Sequence, residues 1–176
     1  MLSIVCWLWN DGSQRARMFQ AEHVNTLQRM ISRHLKLPHR FICVADRAEG
    51  FSDDVEVFKT PPEAIKVGEL RTPEAQHFPS CYRRLWMFSP EAAALGERVL
   101  LIDIDLVVVD DLAPLFDRTE DFVGWRPRQS WGTNKRFGGG LYRLRTGTRT
   151  HVWTDFPGAN SICKARTAGY RGSDQA

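Results

Sequence analysis

The chain has few cysteines, no long apolar run and no excess of one charge, and each shortage narrows what it can be. Its four cysteines, Cys6, Cys43, Cys81 and Cys163, stand far apart, form no CxxC pair and mostly sit inside apolar segments. That usage predicts reduced thiols and a cytoplasmic location. The apolar run from Leu2 to Trp9 is too short to cross a bilayer and no basic segment precedes it, so neither a signal peptide nor a transmembrane segment is expected. A membrane-bound substrate would have to be reached from solution. Lys and Arg total 24 against 21 Asp and Glu, a formal net charge of +3. This balance permits an anionic small molecule but lacks the dense basic face of a nucleic-acid binder, so no nucleic-acid partner is expected. Internal repeats and low-complexity tracts are missing as well.

What is present is an ordinary globular composition, 43% hydrophobic and 26% charged over 176 residues. That length suits one domain, 1–176, with a sizeable core. "LSIVCWLW" reads as a buried strand, followed by a polar loop with its turn at Gly12. Residues 19–35 place Val24, Leu27, Met30, Ile31 and Leu35 on one helical stripe, and Pro38 prevents continuation. "RFICVAD" and "DVEVFKT" read as a second and a third strand. The segment from Pro61 to Pro79 has weak periodicity and reads as a long loop with one helical turn. "SCYRRLWMFSPEAAAL" predicts a helix over 80–95, capped by Ser80, burying Leu85, Trp86 and Phe88 and ended by Gly96. "RVLLIDID" follows as the central strand, then a short helix at "DLAPLF", strands at "DFVGW" and "GGGLYRL", and a short helix at "TRTHVWTDF". The order predicts an α/β fold with a mixed, mainly parallel sheet flanked by helices.

Asp103 and Asp105 stand out. Ligands of open parallel sheets bind outside the carboxyl ends of the strands, and residues i and i+2 of an extended chain point the same way. Two carboxylates held together repel unless a cation lies between them. Mg²⁺ or Mn²⁺ suits hard oxygen ligands and completes its shell with substrate phosphates. A solvated loop start is the plain alternative, opposed by the aliphatic runs "VLLI" and "LVVV" that enclose the pair. Asp110 and Asp111 read as helix-start residues rather than ligands.

The block "CYRRLWMFSPEAAALGERVLLIDIDLVVVDDLAPLF" resembles the centre of GT-A-fold glycosyltransferases, in particular the family-8-like enzymes that use nucleotide-diphosphate sugars. There a helix with Tyr-x-Arg-Leu leads into a strand ending in Asp-x-Asp. The resemblance implies a Rossmann-like GT-A sheet and a hexosyltransferase activity that moves a sugar from a nucleotide-diphosphate donor, UDP-linked, to an acceptor hydroxyl with retained anomeric configuration. It implies Mn²⁺ (or Mg²⁺) on Asp103 and Asp105, with Asp103 also a donor contact. Matching Tyr82-Arg83-Arg84-Leu85 to the motif puts the donor-contacting guanidinium on Arg84, whose planar fork suits phosphate or sugar oxygens; Arg83 is then expected in solvent. Trp9 and Asn10 after the first strand and Asp46 after the second fall where the base and ribose are held, although Trp7 and Trp9 are equally readable as core. "FGGGLYRL" resembles the strand lining the sugar pocket, so Gly139 and Gly140 would let backbone approach the sugar. "GSDQA" resembles the acid-glutamine pair at the anomeric carbon, which makes Asp174 and Gln175 the catalytic candidates. The acceptor is left open among glycan, lipid-linked and protein hydroxyls.

Two departures bear on this. Gly138 stands where the family has an asparagine, and the chain stops one residue after Gln175, before the late histidine that serves the family as third metal ligand. His23, His34, His39, His77 and His151 all lie elsewhere. A donor-binding relative without transfer activity is therefore an alternative. Haloacid-dehalogenase-type phosphatases also end a buried strand in Asp-x-Asp, as nucleophile and acid/base, but near the start of the chain, whereas 102 residues precede Asp103 here.

Overall fold

The aliphatic runs become six strands of one sheet: β1 (Leu2–Leu8), β2 (His39–Ala45), β3 (Glu56–Lys59), β4 (Arg98–Ile102), β5 (Phe122–Trp125) and β6 (Gly138–Arg145), in the order β3-β2-β1-β4-β6-β5. The structure, a computed structural model, describes residues 1–10, 18–69, 79–125 and 138–156. These belong to two compact units, Met1–Lys59 with Leu95–Arg145 and Thr60–Ala94 with Thr146–Ala176.

The first unit holds the sheet. β1 pairs in parallel with β2 and β4, and β2 with β3, while β6 runs antiparallel to both β4 and β5. The fold is thus α/β with a mixed, mainly parallel sheet. Continuous rather than alternating apolar runs are what two covered faces require. Ile4, Cys6, Phe41, Cys43, Leu100 and Ile102 pack in one buried cluster with Val24, Leu27, Ile31 and Leu35. Val5, Ile42, Val44, Val99 and Leu101, which face the other way, are buried too.

The helix that carries that stripe, α1 (Ala21–His34), starts where the Gln20 N–H donates to His23 Nδ1 at 3.1 Å. Its last turn is tied to the chain after β4 by the Leu112 N–H donating to the His34 carbonyl at 3.0 Å. From β1 the chain steps outward to β2 and β3 and then returns to β4 on the other flank of β1. The strand order therefore reverses between β1 and β4, and the crevice outside their carboxyl ends is where such sheets receive ligands. Two arginines brace the far end of the sheet. Arg98 donates to the Phe116 carbonyl and the buried Arg143 to the Glu120 carbonyl, holding the connection into β5. Burial, and then the nearby Arg98 charge, lowers the Arg143 pKa.

The second unit differs from two expectations. The stretch expected to be mostly loop contains α2 (Pro62–Gly68), a helix opened by Pro62, whose missing N–H costs nothing in the first turn. The α-helix expected over 80–95 is instead two 3-10 segments, Pro79–Phe88 and Pro90–Leu95. Pro90 supplies a reason: it has no N–H to donate and restricts Ser89 before it. The Ser89 N–H reaches the Trp86 carbonyl at 2.9 Å and the Ala92 N–H the Ser89 carbonyl at 3.2 Å, both spanning three residues. The tighter period also moves the buried stripe. Trp86 and Met87 are buried, whereas Leu85 and Phe88 are half-buried. Arg83, expected in solvent, is only 5% exposed, and its stem lies across Gly68. A Cβ at Gly68 would stand 2.4 Å from Arg83 Cγ. A short helix, α3 (His151–Thr154), completes the described part of this unit.

Candidate active site

β4 ends one residue before the acid pair. The Asp103 N–H still donates to the Gly140 carbonyl at 2.8 Å, adding a rung to the β4–β6 ladder, and the Leu106 N–H then turns back to the Asp103 carbonyl at 3.2 Å. Asp103 and Asp105 thus hold the first and third places of a turn, not successive same-side places of an extended strand. Strand alternation therefore does not set the direction of these two side chains, but a four-residue turn keeps its members within several ångströms all the same. Asp103 is half-buried and Asp105 exposed. The enclosure expected from "LVVV" also fails, since Val107 is 73% and Val109 80% exposed, and Val108 alone of the three turns into the core. Among the described residues the chain has no strand partner beyond the Asp103 rung, so that run has no sheet face to bury. Asp111 meets its expected role, its Oδ1 accepting the Ala113 N–H at 2.9 Å where a 3-10 turn begins.

The Asp103 carboxylate is aimed at β6. A Cβ on Gly140 would stand 3.0 Å from Asp103 Oδ2, so the bare glycine is what admits the carboxylate there. Gly139 has no described neighbour within 4 Å of where its Cβ would be. Burial first, then the neighbouring Cys43 thiol, and last the Asp103 charge hold the Cys6 thiol well above the usual cysteine range. Gly138 has the space of its missing side chain taken by an indole. A Cβ there would lie 2.4 Å from Trp125 Cε3.

The three nucleotide-pocket candidates come together. Trp9, Asn10 and Asp46 line one cavity of about 400 Å³ at the carboxyl ends of β1 and β2, a volume suited to a small ligand. The Asn10 N–H donates to Asp46 Oδ2 at 3.3 Å and joins the two strand ends. The end of β1 at Leu8 separates the two tryptophans that the sequence left equivalent: Trp7, inside the strand, is 5% exposed and in the core, while Trp9, just past the strand's end, is half-buried at the cavity. Phe19, Gln20 and Glu22 at the start of α1, with Glu49 and Phe51 after β2, are among the other residues that line it. The sequence offered little sign of these five, because loop residues reach a pocket only through the fold.

Arg84 is half-buried in the second unit. Asp174 and Gln175 lie outside the described residues. Among the described residues no group of three or more His, Cys, Asp or Glu is arranged to hold a metal ion. Asp103 and Asp105 still fit Mg²⁺ or Mn²⁺ in one specific way. Both offer hard oxygens, one steadied against the β6 backbone and one open to solvent, and such cations often take one or two carboxylates and fill the remaining positions with phosphate oxygens and water. Among the described residues, no helix is long and apolar enough to cross a membrane.

No protein-family model matches the chain, and no curated protein does. Solved structures do. The galactosyltransferase LgtC, in complex with donor and acceptor sugar analogues, superimposes with a TM-score of 0.54 at 17% identity, covering 99% of this chain and 66% of LgtC. An active-site mutant of LgtC, Q189E, gives 0.55 at 18% identity, with 98% and 66% covered. The apo-form glycosyltransferase GlyE of Streptococcus pneumoniae TIGR4 gives 0.51 at 14% identity, with 98% and 39% covered. The chain spans a little under two thirds of the LgtC chain and about two fifths of GlyE. Over nearly its whole length it is similar in structure to LgtC and other glycosyltransferases, and its fold is their GT-A fold.

Proposed function

We propose that the chain is a metal-dependent glycosyltransferase that moves a hexosyl group from a nucleotide-diphosphate donor, UDP-linked, to an acceptor hydroxyl. The observation that carries this reading is the placement of Asp103 at the carboxyl end of β4, its carboxylate against the side-chain-free Gly140, in a sheet whose order reverses between β1 and β4. The cavity at Trp9, Asn10 and Asp46 supports it. A half-buried indole offers an aromatic surface to a base, and a carboxylate accepts hydrogen bonds from ribose hydroxyls. Asp103 and Asp105 would hold the divalent cation, which supplies charge neutralisation for the departing diphosphate. Arg84 would add a two-point cationic contact to the phosphates or the sugar. Gly139 and Gly140 would let the backbone meet the sugar, Asp174 would orient its hydroxyls, and Gln175 would lie against the reacting face.

Calorimetry with UDP tests the reading. Binding is expected with Mn²⁺ and is expected to vanish with EDTA. Asp105→Ala should abolish the metal-dependent part while moving the melting temperature by less than about 2 °C, since the residue is exposed. UDP binding indifferent to both metal and Asp105 would overturn the proposal. Turnover is read separately, as UDP release from UDP- and GDP-hexoses. Hydrolysis of a chromogenic phosphate ester with Mg²⁺, and no UDP binding, would mark a phosphatase instead.

A further inference from the structure

Trp125 closes β5 with 54% of its surface in solvent, whereas Trp7, Trp86 and Trp153 are buried and Trp9 is half-buried. One exposed apolar side chain is ordinary on a protein surface, so exposure by itself decides nothing. The surroundings add three observations. The β5–β6 register breaks at this residue: Gly124 stands opposite Tyr142 but Trp125 opposite Gly138, leaving Gly139, Gly140 and Leu141 without a β5 residue across from them. Irregularities of this kind re-aim a side chain and are frequent beside functional sites. The six-membered half of the indole rests against Gly138, where any side chain would collide with it. Finally, Gly138 lies two residues from Gly140, against which the Asp103 carboxylate lies. Two residues of strand cover about 7 Å and return to the same side of the sheet.

We propose that Trp125 is an aromatic platform that stacks against the ring of a hexopyranose bound beside Asp103. The proposal rests on the glycosyltransferase reading above and adds to it a sugar-binding residue. A pyranose carries C–H groups on one face and hydroxyls around its rim. An indole face takes the apolar side of such a ring, while the Asp103 carboxylate, on the same side of the sheet, accepts hydrogen bonds from the hydroxyls. The sugar is either the donor's hexosyl group or an acceptor's terminal ring, which share this chemistry.

Indole N–H NMR of the full chain separates the two sources. Six tryptophans give six signals, and Trp125→Phe and Trp9→Phe assign two of them. The probes, each with diamagnetic Mg²⁺, are UDP, UDP-glucose and UDP-galactose, and then the methyl glycosides of glucose and galactose with UDP present. A Trp125 signal that moves with a UDP-hexose but not with UDP assigns the donor sugar, and one that moves with a free glycoside assigns the acceptor sugar. In either case Trp125→Ala should weaken that ligand about tenfold, leave UDP affinity within about twofold, and be largely rescued by Trp125→Phe. If UDP alone moves the Trp125 signal as far as any sugar ligand does, the residue serves the nucleoside and the platform is wrong. If UDP moves the Trp9 signal while no sugar moves that of Trp125, the platform is wrong and the donor site stands. If no ligand moves any signal, the glycosyltransferase reading fails and the platform falls with it.

Discussion

At Gly140 one missing methyl group decides where a carboxylate lies. An added Cβ would sit 3.0 Å from Asp103 Oδ2 and 3.5 Å from its Cγ. A half-buried side chain next to a solvent-facing turn can rotate away from that contact, so Gly140→Ala should cost less than about 1 kcal/mol in stability. It should nevertheless weaken metal-dependent UDP binding by about tenfold or more, because groups that orient ligand carboxylates carry effects of that size. Calorimetry alongside a melting curve separates the two effects. Cys6 illustrates the reverse case, a titratable group kept silent. Burial holds its thiol pKa up, so the folded chain keeps a proton that the unfolded chain releases above about pH 8.5. Its contribution to stability is whole below that pH and declines as pH rises toward the folded value. Ellman's reagent at pH 8 should therefore spare Cys6 in the native protein and react with it in urea.

Among elements, α1 was readable because its stripe repeats at the helical period and its partners are aliphatic; Val24, Leu27, Ile31 and Leu35 are all buried, and Met30 is half-buried. The segments over 79–95 were not readable in the same way. Their composition suits an α-helix, and Pro90 makes two 3-10 pieces of it. That change put Arg83 inside and left Arg84 half-exposed, a difference that one step along the chain cannot reveal without the period. The Arg83 stem on Gly68 makes a prediction for α2. Gly68→Ala places a methyl 2.4 Å from a side chain that is 95% buried (5% exposed). Overpacking of this kind should destabilise the chain by about 1–3 kcal/mol, measured by urea unfolding, although alanine is the better helix former at that position.

For the whole molecule, ligand and stability are linked. A ligand that binds the folded chain alone stabilises it by about 2.7 kcal/mol at a hundredfold excess over its Kd. For a chain of this length that corresponds to roughly 5–10 °C. UDP with Mn²⁺ should raise the melting temperature by that order, and UDP with EDTA should not. The sheet order, the reversal between β1 and β4 and the cavity beyond β1 and β2 supply the frame in which such a ligand would be held. Strand identities, the α1 stripe, the α/β class and the acid pair followed from the sequence alone, because each is a local pattern of spacing and residue type. The turn that carries Asp103 and Asp105, the exposure of Val107 and Val109, the burial of Arg83 and the meeting of Trp125 with Gly138 came only from the tertiary structure. Each of these depends on which distant backbone lies alongside, and a residue's own neighbours in the chain do not determine that.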